Sequence, residues 1–169
     1  EPADIPEEHG GNDPATTACT LAGEKARAIR SRFSGQWILG ADTVVVLEGA
    51  VLGKPRNRDD ARAMLERLGG RDHRVVTGFS ILSPSGEEVH GESVATIVRF
   101  RPLDRLEIEG YLATGEPFGK AGSYAIQGIG AFMVASISGS YTNVVGLPLC
   151  AVIRALLDAG ALERFPLPA

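Results

Sequence analysis

No apolar stretch in the chain is long enough to cross a membrane, and Glu1-Pro2-Ala3-Asp4 lacks the basic and apolar regions of a signal peptide. The expectation is a cytoplasmic protein with no membrane partner. Cysteine is scarce: Cys19 and Cys150 fall in predicted helices without metal-type spacing and read as buried thiols, not as ligands or a disulfide. His9, His73 and His90 are equally scattered. Positive charge is not in excess, since the formal net charge is −4. That balance argues against a nucleic acid polymer as partner, while permitting a small anionic ligand held by a few local cations or a metal. The chain has no Gly-x-x-x-x-Gly-Lys-Ser/Thr loop and no strand–Gly-x-Gly-x-x-Gly–helix unit, which weakens kinase, P-loop hydrolase and Rossmann readings. Internal repeats and low-complexity segments are also lacking. What remains is an ordinary globular composition, 169 residues with 44% apolar and 22% charged, enough for one domain with a real core.

Lysine is the most informative scarcity. Fourteen arginines stand against three lysines, Lys25, Lys54 and Lys120. A position that keeps lysine in an arginine-rich chain suits a compact, rotatable point charge, a common requirement near phosphate. All three lie in motif-like stretches: Ala22-Gly23-Glu24-Lys25-Ala26, Leu52-Gly53-Lys54-Pro55 and Phe118-Gly119-Lys120-Ala121-Gly122.

The chain is organised around Trp37-Ile38-Leu39-Gly40-Ala41-Asp42-Thr43-Val44-Val45-Val46-Leu47, an apolar run broken by one carboxylate. A continuous run rich in β-branched residues predicts a central strand covered on both faces. Asp42 then needs a compensating cation, metal or donor set, because a carboxylate buried alone costs several kcal/mol, on the order of 3 or more. Two readings stay open: a strand-end aspartate that bonds backbone amides, or a site residue beside Gly40, where a glycine in a strand signals close approach to the backbone.

Around this strand the sequence predicts a polar loop over residues 1–12 with the acidic pair Glu7-Glu8. A helix starts at Asp13-Pro14 with Ala18, Leu21, Ala22, Ile29 and Phe33 on its inner face and ends near Ser34-Gly35. A turn at Glu48-Gly49 leads into Ala50-Val51-Leu52 and returns Lys54 towards Asp42. A second helix is capped by Asn57, with Ala61, Met64, Leu65 and Leu68 inward. A hairpin turns at Ser83-Pro84-Ser85-Gly86, a third helix spans Asp104 to Ala113 with Leu106, Tyr111 and Leu112 inward, and a strand covers Ala131 to Ile137. Residues 119–146 are dense in glycine, as suits either backbone approaching a ligand or tight turns. A last helix opens at Pro148 and ends at Gly160. A buried carboxylate, three isolated lysines, an acidic loop and a glycine-rich segment together suit a metal-bound polyphosphate.

Leu21-Ala22-Gly23-Glu24-Lys25-Ala26, Gly40-Ala41-Asp42-Thr43-Val44-Val45, Gly53-Lys54-Pro55, Lys120-Ala121-Gly122-Ser123-Tyr124-Ala125-Ile126-Gln127-Gly128 and Gly139-Ser140-Tyr141-Thr142-Asn143-Val144-Val145-Gly146-Leu147-Pro148 carry a further signal. Across nearly the whole chain these segments resemble the Maf-like nucleoside triphosphate pyrophosphatases, also called septum-formation-inhibitor proteins. The resemblance implies one Maf-like domain over residues 1–169, of α/β class. Its long mixed β-sheet is flanked by helices and forms two lobes with a central cleft, as in inosine triphosphatase-like folds; the family is often dimeric. It implies hydrolysis between the α- and β-phosphates of a nucleoside triphosphate with a divalent metal cation, Mg²⁺ or Mn²⁺. By this resemblance Asp42 matches the proton acceptor and a metal ligand, and Lys25 and Lys54 match phosphate-contacting lysines. Glu7 resembles a metal-ligating glutamate, though Pro6 replaces the acid that precedes it in the family, and Glu8 could take the role instead. Thr43, Gln127 and Lys120 fall among substrate-binding positions. Gln127 resembles the branch acting on dTTP and UTP; another branch carries glutamate there and resembles enzymes for 7-methyl-GTP. A glutamine amide can donate to and accept from the O4/N3–H edge of uracil or thymine, whereas a carboxylate better suits a cationic methylated guanine. The family's upstream strand and Ser-x-Ser-Pro-Arg-Arg loop have no counterpart here, which leads to the expectation that the chain as written is catalytically crippled. The alternative from another class is a nucleotide-binding regulator of cell division without significant catalysis.

Overall fold

The computed structural model describes residues 13–166. Asp13 caps the first helix, α1 (Pro14–Ile29), its carboxylate accepting from the amides of Ala15 and Thr16 at 3.2 and 3.4 Å. A single 3-10 turn, Arg30–Arg32, ends it. Strand β1 (Ile38–Leu47) turns through Glu48 and Gly49, both at positive φ, into β2 (Ala50–Leu52), and the two pair antiparallel with Leu47 opposite Ala50. Left-handed geometry at both turn residues matches the twist of a tight hairpin. Helix α2 (Arg58–Leu68) is capped by Asn57 and carries Asp59 and Asp60 in its first turn, where carboxylates favour the helix dipole. Strands β3 (Asp72–Leu82) and β4 (Glu88–Phe100) follow, joined by the turn at Ser83–Gly86. Helix α3 (Arg105–Ala113) opens with a reciprocal capping box between Asp104 and Glu107. Strand β5 (Val134–Ser138) pairs antiparallel with β4, and two helices, α4 (Tyr141–Val145) and α5 (Leu149–Asp158), complete the described chain. The five strands form one sheet in the order β2-β1-β3-β4-β5.

The chain divides into two compact units. Among the described residues, one gathers 13–42, Thr77–Val94 and 146–166; the other gathers Thr43–Val76 and Ala95–Val145. In the first, Phe79 and Ile81 pack with Ala151, Val152 and Ala155 of α5, while Ala26 of α1 packs with Ile38 and Leu82. In the second, Leu65 and Leu68 of α2, Tyr111 and Leu112 of α3, and Val45, Leu47, Val75, Val98 and Phe100 of the sheet share a larger core. Arg58 and Arg62 both donate to the Glu109 carboxylate, at 2.8 and 2.5 Å, and tie α2 to α3.

Several expectations are corrected. Strand β1 is covered on both faces only from Val44 onward; before that its exposure alternates, with Leu39 outward. Leu106 lies almost fully exposed, because the three-residue step from Leu106 leads to Glu109 and the ion pairs, not to the buried stripe of Ile108, Tyr111 and Leu112. Residues Ile129–Met133 form a 3-10 helix, so β5 begins three residues later than read. Ser140–Gly146, read as part of a glycine-rich loop-and-strand region suited either to a ligand or to tight turns, contains the helix α4, whose Asn143 is buried and donates to the Val75 carbonyl and the Thr96 hydroxyl at 3.0 Å. Cys150 lies exposed on α5 and Cys19 is half-buried; both are free thiols.

Candidate active site

Two glycines set the geometry around Asp42. A Cβ on Gly40 would collide with the carbonyl oxygen of Ala22, and a Cβ on Gly78 with the backbone at Ala18 and Cys19. Helix α1 therefore lies directly on the backbones of β1 and β3, closer than any side chain there would allow. Side chains two apart on a strand share a face, and those three apart on a helix share a stripe. From the Ala22–Gly40 contact, Lys25 and Asp42 are the next residues along each, and their side chains meet. The Lys25 ammonium donates to Asp42 Oδ1, with Asp42 buried and Lys25 about a fifth exposed. The cation supplies compensation that a buried carboxylate requires.

The other expected residues fall in the second unit. Thr43 is half-buried on β1. Lys54 is exposed just beyond β2, whose antiparallel register carries the chain back along β1 towards Thr43. Gly122 donates its amide to the Gly53 carbonyl at 3.1 Å, and Ser123 donates to the Lys120 carbonyl at 3.1 Å. The Lys54 and Lys120 stretches are thus stitched together, with Gly122 at φ 68° packed against Val45. Lys120 and Gln127 are both exposed. Glu7 and Glu8 lie outside the described residues. Among the described residues no three His, Cys, Asp or Glu side chains gather as in a protein-built metal cage.

Glu116 went unread in the sequence, Tyr111 was read only as a core residue, and His73 only as a scattered histidine. Glu116 takes the Ile129 amide at 2.8 Å on Oε2, and the Gly130 amide and Tyr111 hydroxyl, both at 3.0 Å, on Oε1. Burial works to raise its pKa, but these three donors outweigh it and hold the carboxyl below its ordinary range. Tyr111 in turn accepts the Ala125 amide at 3.2 Å, and burial pushes its phenol upward, so it remains a donor to Glu116. His73 bonds the Tyr124 hydroxyl through Nε2 at 2.8 Å, edge-on to Phe100 and Tyr124, while its buried Nδ1 has no hydrogen-bond partner. Desolvation lowers its pKa to about 4 despite nearby Asp72. Ile129 and Gly130 open the 3-10 helix Ile129–Met133, whose first amides have no partner within it and take an outside acceptor.

The model of the family described as Maf-like protein matches residues 1–159. A dTTP/UTP pyrophosphatase of Syntrophotalea carbinolica is 51% identical over 168 residues, covering 97% of this chain and 76% of that protein. Proteins of the same name from Geobacter metallireducens and Geobacter sulfurreducens are each 49% identical over 161 residues, covering 95% of this chain and 84% of theirs. A family match over residues 1–159, with relatives at about half identity over almost the whole chain, places this chain in the Maf-like protein family.

Proposed function

We propose that the chain is a nucleoside triphosphate pyrophosphatase acting on dTTP and UTP, releasing the monophosphate and pyrophosphate. The half identity to relatives named for that activity, over almost the whole chain, is the observation that carries the reading. In this mechanism a water oxygen attacks the α-phosphorus in line, its proton passes to the Asp42 carboxylate, and the bond from the α-phosphorus to the bridging oxygen breaks as pyrophosphate leaves. Lys25, already against Asp42, and Lys54 stabilise charge on the phosphate oxygens. Lys120 adds a further cation, and Thr43 and Gln127 take the base. Asp42, with Glu7, would hold a Mg²⁺ or Mn²⁺ ion. A single buried carboxylate fits such an ion, since Mg²⁺ is commonly held by one or two carboxylates together with substrate phosphates. When bound, the ion neutralises triphosphate charge and lowers the pKa of a coordinated water. A homodimer in the cytoplasm belongs to the same proposal.

The test is a panel of dTTP, UTP, dCTP, dGTP and 7-methyl-GTP, each with Mg²⁺ or Mn²⁺, assayed for pyrophosphate. The proposal expects dTTP and UTP to lead, and Gln127→Glu to move the ranking towards 7-methyl-GTP. Equal or better hydrolysis of 7-methyl-GTP by the unaltered chain would refute the pyrimidine assignment. Tight nucleotide binding without turnover favours the regulator only if a form carrying an upstream Ser-x-Ser-Pro-Arg-Arg segment also fails to turn over; turnover restored by that segment fits the crippled-chain expectation instead.

A further inference from the structure

Gln127 is exposed in a turn between Tyr124 and the 3-10 helix Ile129–Met133, a segment without a strand partner of its own. A base-reading amide must be held to within about 0.5 Å to discriminate one base edge from another, so some other group has to fix this backbone. The segment is bonded on both sides of Gln127. Before it, the Ala125 amide donates to Tyr111 Oη at 3.2 Å and the Tyr124 hydroxyl bonds His73 at 2.8 Å. After it, the amides of Ile129 and Gly130 donate to the two oxygens of Glu116 at 2.8 and 3.0 Å. The Tyr111 hydroxyl donates to Glu116 at 3.0 Å and closes the circuit, so one carboxylate and one phenol span the whole turn.

The fit is close. A Cβ on Gly128 would collide with the Glu116 carboxylate, and one on Gly130 would stand 2.6 Å from the Ala125 carbonyl and 2.7 Å from the Tyr111 hydroxyl. Glycine at both positions lets the loop backbone wrap the carboxylate. Glu116 itself is only half-buried and lies on the loop after α3, within a unit whose core already holds Tyr111 and Met133. Three donors converge on a carboxylate that the core does not need for packing.

We propose that Glu116, acting with Tyr111, is a positioning residue for Gln127 and thereby sets pyrimidine selectivity. This rests on the reading of Gln127 as the base-recognising side chain. A glutamine amide can satisfy thymine or cytosine depending on which of its ends faces the ring edge. Selectivity therefore depends on the loop that aims the amide more than on the glutamine alone. Glu116→Gln keeps the shape but replaces one acceptor oxygen with an NH₂ group facing N–H or O–H donors. Tyr111→Phe removes the hydroxyl and leaves the ring in the core.

The experiment is a cycle of Glu116→Gln, Gln127→Ala and the double variant, with Tyr111→Phe alongside, measuring kcat and KM for dTTP and dCTP. The expected result is a fall in the dTTP:dCTP ratio of kcat/KM by about tenfold in Glu116→Gln, the scale of one lost hydrogen bond to a charged group. The loss should reside in KM for dTTP, appear in milder form in Tyr111→Phe, and vanish in the Gln127→Ala background. Amide exchange at Ile129 and Gly130 should quicken in the folded Glu116→Gln protein. An equal loss for both nucleotides, or a change of ratio that persists without Gln127, would reduce Glu116 to a structural brace and overturn the proposal. If Gln127→Ala itself leaves the ratio unchanged, the base-recognition reading fails first, and this proposal with it.

Discussion

At the scale of single residues, Asp42 and Lys25 were legible because both break their surroundings: one carboxylate in an apolar run, one lysine among many arginines. In an otherwise active form, Asp42→Asn should retain the fold, read by circular dichroism, and lose roughly a hundredfold or more in turnover, as for removal of a general base. Near-normal turnover in a folded variant would remove Asp42 from the chemistry. His73 was not legible, since a lone histidine in a strand gives no sign of its neighbours until Phe100 and Tyr124 fold around it. Its folded pKa of about 4 lies below the ordinary 6.5. Above pH 6.5 the ring is neutral in both states and contributes nothing to the pH dependence. Between 6.5 and 4 the unfolded chain takes up a proton that the folded chain refuses, so stability falls with pH by about 3 kcal/mol in all. Urea unfolding of the wild type and His73→Phe should show the wild type losing more stability between pH 7 and 4.5. Parallel pH dependence in the two proteins would contradict this.

At the scale of elements, helix caps, the Glu48-Gly49 hairpin and the turn at Ser83–Gly86 follow from local chemistry and appear where that chemistry puts them. Failures occur where long-range packing overrides local pattern. Leu106 satisfies helical spacing yet stays outside, because Glu109, on the same stripe, is claimed by Arg58 and Arg62 of α2. Gly40, read correctly as a point of close approach, turns out to receive another part of the chain, α1. Gly40→Ala should push α1 from β1 and cost about 1–3 kcal/mol, the usual range for an overpacked contact. Activity should fall as Lys25 is displaced from Asp42. Gly110→Ala on α3, where a methyl group meets open space, serves as the control and should gain up to about 1 kcal/mol. Thermal melts of both variants provide the comparison; a neutral Gly40→Ala would mean that the contact is slack.

At the scale of the whole molecule, the sheet with flanking helices was legible from the alternation of apolar runs and capped helices, and the resemblance to the family was legible in the motifs. The two compact units were not legible in the periodicity, because β1 supplies Ile38 to one core and Val45 and Leu47 to the other without a change in apolar character. The Glu116 circuit was equally hidden: its partners lie up to fourteen residues away in sequence, and two of the three are backbone amides, which leave no trace in side-chain pattern. The chemistry assigned to Asp42 is tested most directly by hydrolysing dTTP in ¹⁸O-labelled water and locating the label by mass spectrometry. Water attack at the α-phosphorus puts one heavy oxygen in dTMP and leaves pyrophosphate unlabelled, with Asp42→Asn slowing its appearance. Label in pyrophosphate, or dTDP and labelled inorganic phosphate as the products, would contradict the proposed reaction.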